Sequence, residues 1–237
     1  AIVLVGAAGL SYEEAAEMCR YFAETFAGAE WVPVFLLRAA AYQELTGGLP
    51  SARPGYEAIA RAAPDSPAGR QAGTLLWFHE AATHALLAAH AAMDVKLYLD
   101  GNAVGAGRDP FSLFVFPVTL APGEHEIEAE VTPFSQGPWA SFHLRTHTTN
   151  ITSDASWECA KTRPRNWPRT DDDPSAAWTN VIHASGDIPK IAWWQFTPNG
   201  FVNMQNGGRL IEIAWDGWGK QPFQTTYLRR RFSVPAK

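Results

Sequence analysis

Asp94-Val-Lys-Leu-Tyr-Leu-Asp-Gly-Asn-Ala-Val-Gly-Ala-Gly107 is the stretch whose reading sets the fold class. Val95, Leu97 and Leu99 alternate with Lys96, Tyr98 and Asp100. That period of two describes a strand with one face in a core and one in water. Asp100-Gly101-Asn102 then supplies the positive φ that a tight hairpin needs, so Ala103-Val104-Gly105 is expected to return antiparallel to the first strand.

The same logic repeats outward from the hairpin. Phe111–Leu120 is a β-rich run, Ala121-Pro-Gly-Glu124 a turn, and His125–Val131 a second alternating strand. Ile127, Ala129 and Val131 point one way in it, while Glu124, Glu126, Glu128 and Glu130 point to a face read as solvated. Half-wet antiparallel strands in series predict a mainly β protein, an antiparallel β-sandwich. Phe142–His147 is expected to add a strand with His143, Arg145 and His147 on one solvent-facing side. Ile191–Phe196, Arg209–Trp215 and Thr226–Pro235 carry further β signals, separated by Pro, Asn and Gly turns.

Taken in order, strand, "YLDGNAVG", Phe-rich strand, "LAPGEHEIEAEV" and a Gly-Pro-Trp loop resemble the galactose-binding-like jelly-roll domains appended to glycoside hydrolases and found in lectin-like proteins. Thr152-Ser-Asp-Ala-Ser-Trp157, Pro164, Trp167, Asp171–Asp173 and Ala176-Ala-Trp178 are similar to the ending of such domains in α-L-rhamnosidase-type proteins. The resemblance covers roughly residues 73 to 185. It implies a jelly-roll fold and a tendency to bind sugar, and it carries no catalytic residue. "TYLRRRFSVP" at residues 226–235 resembles the strand that opens such a domain, so 190–237 is either the close of this sandwich or the start of a second β domain. Place in the family order also makes Thr83–Ala92 a strand, against the helix propensity of its Ala and Leu.

Ahead of the sandwich, residues 1–72 read as a helical N-terminal portion and linker, with 73–237 as the β-sandwich. Residues 1–10 have length for one buried strand or the remnant of a signal segment. Ser11 with Glu14 forms a capping box, and Ala15, Met18, Cys19, Phe22 and Phe26 recur at helical spacing before Gly28. Pro33 makes Trp31–Leu37 an edge strand or buried turn. Arg38–Leu45 is a helix stopped at Gly47-Gly48, Leu49–Gly73 a connecting segment with a short helix at Tyr56–Ala63, and Gly73–Phe78 the first strand of the sandwich.

The 237 residues are 46% hydrophobic, with a formal net charge of −5. That is enough apolar material for a sizeable core, and the charge argues against a nucleic-acid-binding surface. No run reaches the ~20 apolar residues of a membrane span. None of the usual nucleophile, zinc or phosphate motifs occurs, and the four glutamates lie along one strand instead of across a cleft, so no catalytic residue is assigned.

The function expected is therefore a non-catalytic, lectin-like carbohydrate-binding module, secreted or on the cell surface. The alternatives are a structural subunit of an extracellular protein assembly or an accessory domain of a glycoside hydrolase. Ten Trp are present, and indole faces serve both as core filler and as sugar platforms. Trp139, held in a Pro-flanked loop, and Trp167, flanked by Arg165, Asn166 and Arg169, are the expected ligand contacts, while Trp157 and Trp178 are expected to be structural. Asp171, Asp172 and Asp173 offer oxygen ligands for a structural calcium or form a solvated turn; no other cofactor is expected.

Asn150-Ile-Thr152 is a glycosylation sequon, which favours a secreted glycoprotein. In that setting the two cysteines, Cys19 and Cys159, would form a disulfide closing a loop of about 140 residues, contributing on the order of 4 to 5 kcal/mol. Two buried free thiols is the other reading.

Overall fold

The computed structural model describes residues 11–91, 93–108, 114–133, 139–153, 156–169, 176–187, 209–212 and 225–236. The chain forms two compact units, one reaching His84 and the other beginning at Ala85.

The first unit is helical. Helix α1 (Tyr12–Thr25) opens on the capping box: the Glu14 N–H donates to Ser11 Oγ at 3.2 Å and the Ser11 N–H to Glu14 Oε2 at 2.8 Å. Cys19 and Ala23 on its inner stripe pack with Phe35 and Ala39 of α2 (Val32–Ala62). Trp31–Leu37 is thus not strand; Pro33 sits in the first turn of α2, where its missing N–H has no helical partner to lose. Helix α2 breaks at Gly48 (φ 70°, ψ −175°) and resumes, so residues 49–55, read as linker, are helical and run into the short helix read at Tyr56–Ala63. The two halves approach so closely that a Cβ on Gly55 would lie 2.9 Å from the Ala40 Cβ.

Helix α3 (Pro67–Phe78) follows, capped by Ser66, whose hydroxyl accepts the Gly69 N–H at 2.9 Å, with Pro67 in the first turn. Gly73–Phe78 is its second half and not the first strand of the sandwich. Glu44 ties these pieces together, accepting the Tyr56 hydroxyl at 2.7 Å and lying 3.0 Å from His79 Nε2.

The second unit is a two-sheet β-sandwich. Its strands are β1 (His84–Ala91), β2 (Met93–Leu99), β3 (Asn102–Gly107), β4 (Phe114–Thr119), β5 (Gly123–Pro133), β6 (Trp139–Arg145), β7 (Asn150–Thr152), β8 (Glu158–Ala160), β9 (Thr179–Asn180), β10 (Ile182–Asp187), β11 (Arg209–Glu212) and β12 (Thr226–Val234). One sheet has the order β10-β11-β6-β1-β4, with β7 on β6, and the other β3-β2-β5-β12-β8-β9. The registered pairs are antiparallel. Inner faces of both sheets fill one core: Leu87, Phe142 and Leu144 from the first, and Leu97, Ile127, Ala129, Val131 and Leu228 from the second. Strand β1 forms in spite of its Ala and Leu content, because Ala85–Ala89 are all buried and tertiary packing overrides propensity. Strand β12 lies between β5 and β8, so 226–234 close this sandwich.

The sandwich core holds Trp157, 1% exposed, stacked on Phe142 at 4.7 Å with its N–H donated to the Thr152 carbonyl at 3.2 Å. Edge strands β3 and β4 meet through glycines, since a Cβ on Gly105 or Gly107 would overlap the rings of Phe116 and Phe114. Residues 1–10, the Gly137-Pro138 part of the Trp139 loop, Asp171–Asp173 and Ile191–Phe196 lie outside the described residues.

The disulfide does not form. Cys19 is buried in the helical core and Cys159 in the sandwich core, and both are free. Each thiol is enclosed by its own unit's apolar side chains, so a bridge would require a core to open. Burial pushes the Cys19 thiol up to about 11, against the opposing pull of Arg38 and Arg20. Titration of the denatured, unreduced protein with a thiol reagent is expected to find two thiols per chain. The folded protein should leave Cys19 unreacted on a timescale of minutes, because thiolate and access are both lacking.

Candidate functional site

The hairpin tip organises a site where charged groups of the described residues converge on a concavity. Leu99 pairs with Asn102, leaving Asp100 (φ 51°) and Gly101 (φ 73°) as a two-residue turn with both φ positive. The Arg169 side chain crosses Gly101 so closely that no Cβ fits there. Asp100 is fully engaged: its Oδ1 accepts the Glu126 N–H at 2.8 Å, and its Oδ2 lies 2.7 Å from His125 Nδ1.

His125 Nε2 lies 2.7 Å from the Ala121 carbonyl. Both ring nitrogens therefore face pure acceptors and must both donate, which requires the imidazolium. Burial acts to lower the His125 pKa, but the Ala121 carbonyl, Asp100 and Glu124 together outweigh it and raise the group above its ordinary value.

Glu124 is exposed, but the rest of the glutamate face of β5 is covered, with Glu126 and Glu130 half-buried and Glu128 buried. The segment after β8 lays Trp167 over it, edge-on to Tyr227 at 4.9 Å and to Tyr98 at 5.9 Å, with Ala160 beneath and Trp178 alongside. Under this cover each glutamate finds a different environment. Glu126 accepts from Arg231 Nε at 2.5 Å and Glu130 from Lys96 Nζ at 2.8 Å. Glu128 has Tyr98 and Arg229 as its cross-strand neighbours, but Arg229 is committed elsewhere, donating to Glu158 at 2.7 Å and stacking 4.0 Å above Trp178.

Glu128 is 1% exposed; its Oε1 accepts the Gly101 N–H at 2.8 Å, and its Oε2 has no protein partner. Desolvation, with Glu126 and Asp100 adding repulsion, raises the carboxyl to about 8 against the lowering effect of the Gly101 N–H. At neutral pH this buried group is largely a neutral acid.

Glu128 lines an open cleft of about 420 Å³ with Asp100, Glu124, His125, Glu126, Arg169 and Arg231. Of the ligand contacts read from sequence, Arg169 alone joins it. Arg165 and Asn166 are exposed outside it, and Trp167 is 7% exposed, a packing residue of the cover. Trp139 opens β6 opposite Glu212, and its side chain is outside the described part. Asn150 is exposed on β7.

His143, read as solvent-facing, is 7% exposed, and burial with Arg145 nearby holds its imidazole down at about 4. Among the described residues no three of His, Cys, Asp and Glu converge to hold a metal ion, and no helix is long and apolar enough to cross a membrane.

The signal that could have found Glu128 was the Asp-Gly turn. Its Gly101 N–H points at the strand that carries the glutamates.

Compared with protein-family descriptions, curated proteins and solved structures, the chain matches none. The class defined by fold and site is thus a two-sheet antiparallel sandwich with a helical unit before it and a polar cleft at one hairpin tip.

Proposed function

We propose that this protein is a non-catalytic carbohydrate-binding module of galactose-binding-like, jelly-roll type, and that the Asp100–Glu128 cleft holds the sugar. The observation that carries this is Glu128, a residue that lines the open cleft and whose Oε2, itself closed off from solvent, has no protein partner. A buried acceptor or acid without a partner costs on the order of 1–3 kcal/mol, which a ligand group can return. A hydroxyl suits it best, since it donates to the carboxylate and accepts from the acid. An ammonium suits the carboxylate form alone and an anion the acid form alone. Arg169 and Glu124 add one donor and one acceptor side chain at the rim.

Two of the other carboxylates of the cleft are occupied, Asp100 by His125 and the Glu126 N–H and Glu126 by Arg231, which leaves Glu124 and Glu128 to face a ligand. A secreted or cell-surface setting rests on the exposed Asn150 sequon alone, because the disulfide expected in that setting is absent and both cysteines are free. Other extracellular proteins remain the alternative partners.

An immobilised glycan array probed with the full chain tests the reading. Retention of a defined set of glycans, weakened at least tenfold by combining Arg169→Ala with Glu124→Ala, is the expected result. No retention, or retention indifferent to that double variant, would overturn it.

A further inference from the structure

We propose that His125 is a proton-operated latch: with a proton on each ring nitrogen it ties the hairpin tip to the β4–β5 turn, and the cleft holds its ligand more tightly in that form than after one proton has left. The inference rests on the carbohydrate reading of the cleft and adds its regulation.

The latch follows from two distances. His125 Nδ1 lies 2.7 Å from Asp100 Oδ2, and Nε2 lies 2.7 Å from the Ala121 carbonyl. Neither acceptor can donate, and a neutral imidazole has a single N–H, so only the imidazolium makes both bonds. When a proton leaves, one bond must go. The charged Asp100 is the stronger acceptor, so the N–H stays on Nδ1 and the Nε2 lone pair is left facing the Ala121 oxygen. Two lone pairs at that distance repel.

The turn is the side that yields. Asp100 is held fast: its Oδ1 accepts the Glu126 N–H at 2.8 Å, its N–H donates to the Glu126 carbonyl at 2.9 Å, and its own carbonyl accepts Asn102 Nδ2 at 3.1 Å. Ala121 and Pro122 are exposed, Pro122 has no N–H to tie it down, and Gly123 (φ 139°) has open space where a Cβ would stand. The Ala121 carbonyl is therefore free to swing out to water. Glu124, on the cleft rim, follows directly, and its pairing with Ser233 is next to the end of the ladder, where fraying begins.

The groups around His125 decide when this happens. Asp100 faces it from the tip and Glu124 from its own strand, β12 presents the Phe232 ring 5.5 Å away and Arg231, which donates to Glu126, and Arg169 lines the cleft from the covering segment. Burial works against the proton, but the Ala121 carbonyl, Asp100 and Glu124 outweigh it. The latch is thus whole below the 6.5 of a free imidazole and is lost as pH rises through a higher value.

Ring and amide NMR of the full, isotope-labelled chain, titrated upward in pH, reads the latch without a ligand. Neutral His125 is expected to keep its proton on Nδ1, and the Gly123 and Glu124 amides to shift with the His125 midpoint. In Glu128→Gln, where the other raised group of the cleft no longer titrates, the same coupled step should appear. A proton kept on Nε2, or turn amides that ignore the His125 step, would overturn the latch and leave the sugar cleft standing. The glycan array, run with the parent and with His125→Phe well below and well above that midpoint, reads the control. Phenylalanine keeps a ring against Phe232 and makes neither bond. Parent retention should exceed that of His125→Phe at least threefold at the lower pH, about the share of Glu124 in the tenfold effect of the two rim residues, and equal it at the higher. A ratio that does not change with pH would make His125 a structural residue alone and overturn its control of the cleft. Retention of no glycan at either pH would overturn the sugar reading and this control together.

Discussion

Glu128→Gln is expected to make the sandwich more stable in alkali, an unusual direction for a change at a buried site. The folded protein keeps the Glu128 proton up to about 8, whereas an unfolded glutamate releases it near its ordinary 4.5. The raised group therefore contributes stability that is whole below pH ~4.5 and is lost as pH rises through about 8. The span corresponds to roughly 3–5 kcal/mol, a large share of the stability of an ordinary domain.

Glutamine resembles the neutral acid: its carbonyl still accepts the Gly101 N–H, and it has no charge to bury. Urea unfolding, followed through the tryptophans of the sandwich from pH 4.5 to 9, should show the two proteins alike at the acid end. Glu128→Gln should be more stable by about 3–5 kcal/mol at the alkaline end. Parallel curves would refute the buried acid.

The charged and titratable groups around Glu128 set the background for that comparison. Asp100 lies at the tip, Glu126 on the same strand, Tyr98 on β2, Arg229 and Arg231 on β12, and Arg169 on the covering segment. The His125 pKa is raised, so its contribution is also lost as pH rises. That of His143, held down at about 4, is lost as pH falls from the 6.5 of a free imidazole. Both histidines are common to the two proteins, and the difference between the curves isolates Glu128.

Local chemistry made the hairpin legible. Period-two alternation, Asp-Gly and a following glycine pair leave little freedom, and Gly105 and Gly107 further mark where β3 meets the β4 rings. The capping box at Ser11 was equally readable.

The misreadings came from residues that serve two structures. Pro33 points to an edge strand or a buried turn but occupies a helix's first turn, and Gly73-Thr-Leu-Leu-Trp-Phe78 reads as the first strand of the sandwich although Ser66-Pro67 has already begun a helix. The glutamate strand shows the deeper limit. Alternation tells which side chains leave the core, but not what else covers them. The cover for β5 comes from a segment more than thirty residues downstream, and its effect on Glu128 follows from packing that no local pattern encodes.

That cover supplies the second large effect. Trp167→Ala removes an indole wedged between Tyr98 and Tyr227, and truncation of a buried Trp is expected to cost about 3–5 kcal/mol of stability. Trp167→Phe, which keeps a ring against both tyrosines, should lose less than half of that. A sugar platform would behave otherwise, with stability unmoved and glycan retention lost in both variants.

The two buried groups are also coupled, since Trp167 packs on Tyr98, the cross-strand neighbour of Glu128. Opening the cover admits water to the carboxyl, eases its desolvation and brings its pKa back toward that of a free glutamate. The alkaline decline seen in the parent protein should therefore shrink in Trp167→Ala. It should disappear with no further gain when Glu128→Gln is added, so the two substitutions are non-additive at pH 9 and additive at pH 4.5. Additivity at both pH values would separate the indole from the acid and leave Trp167 as a packing residue alone.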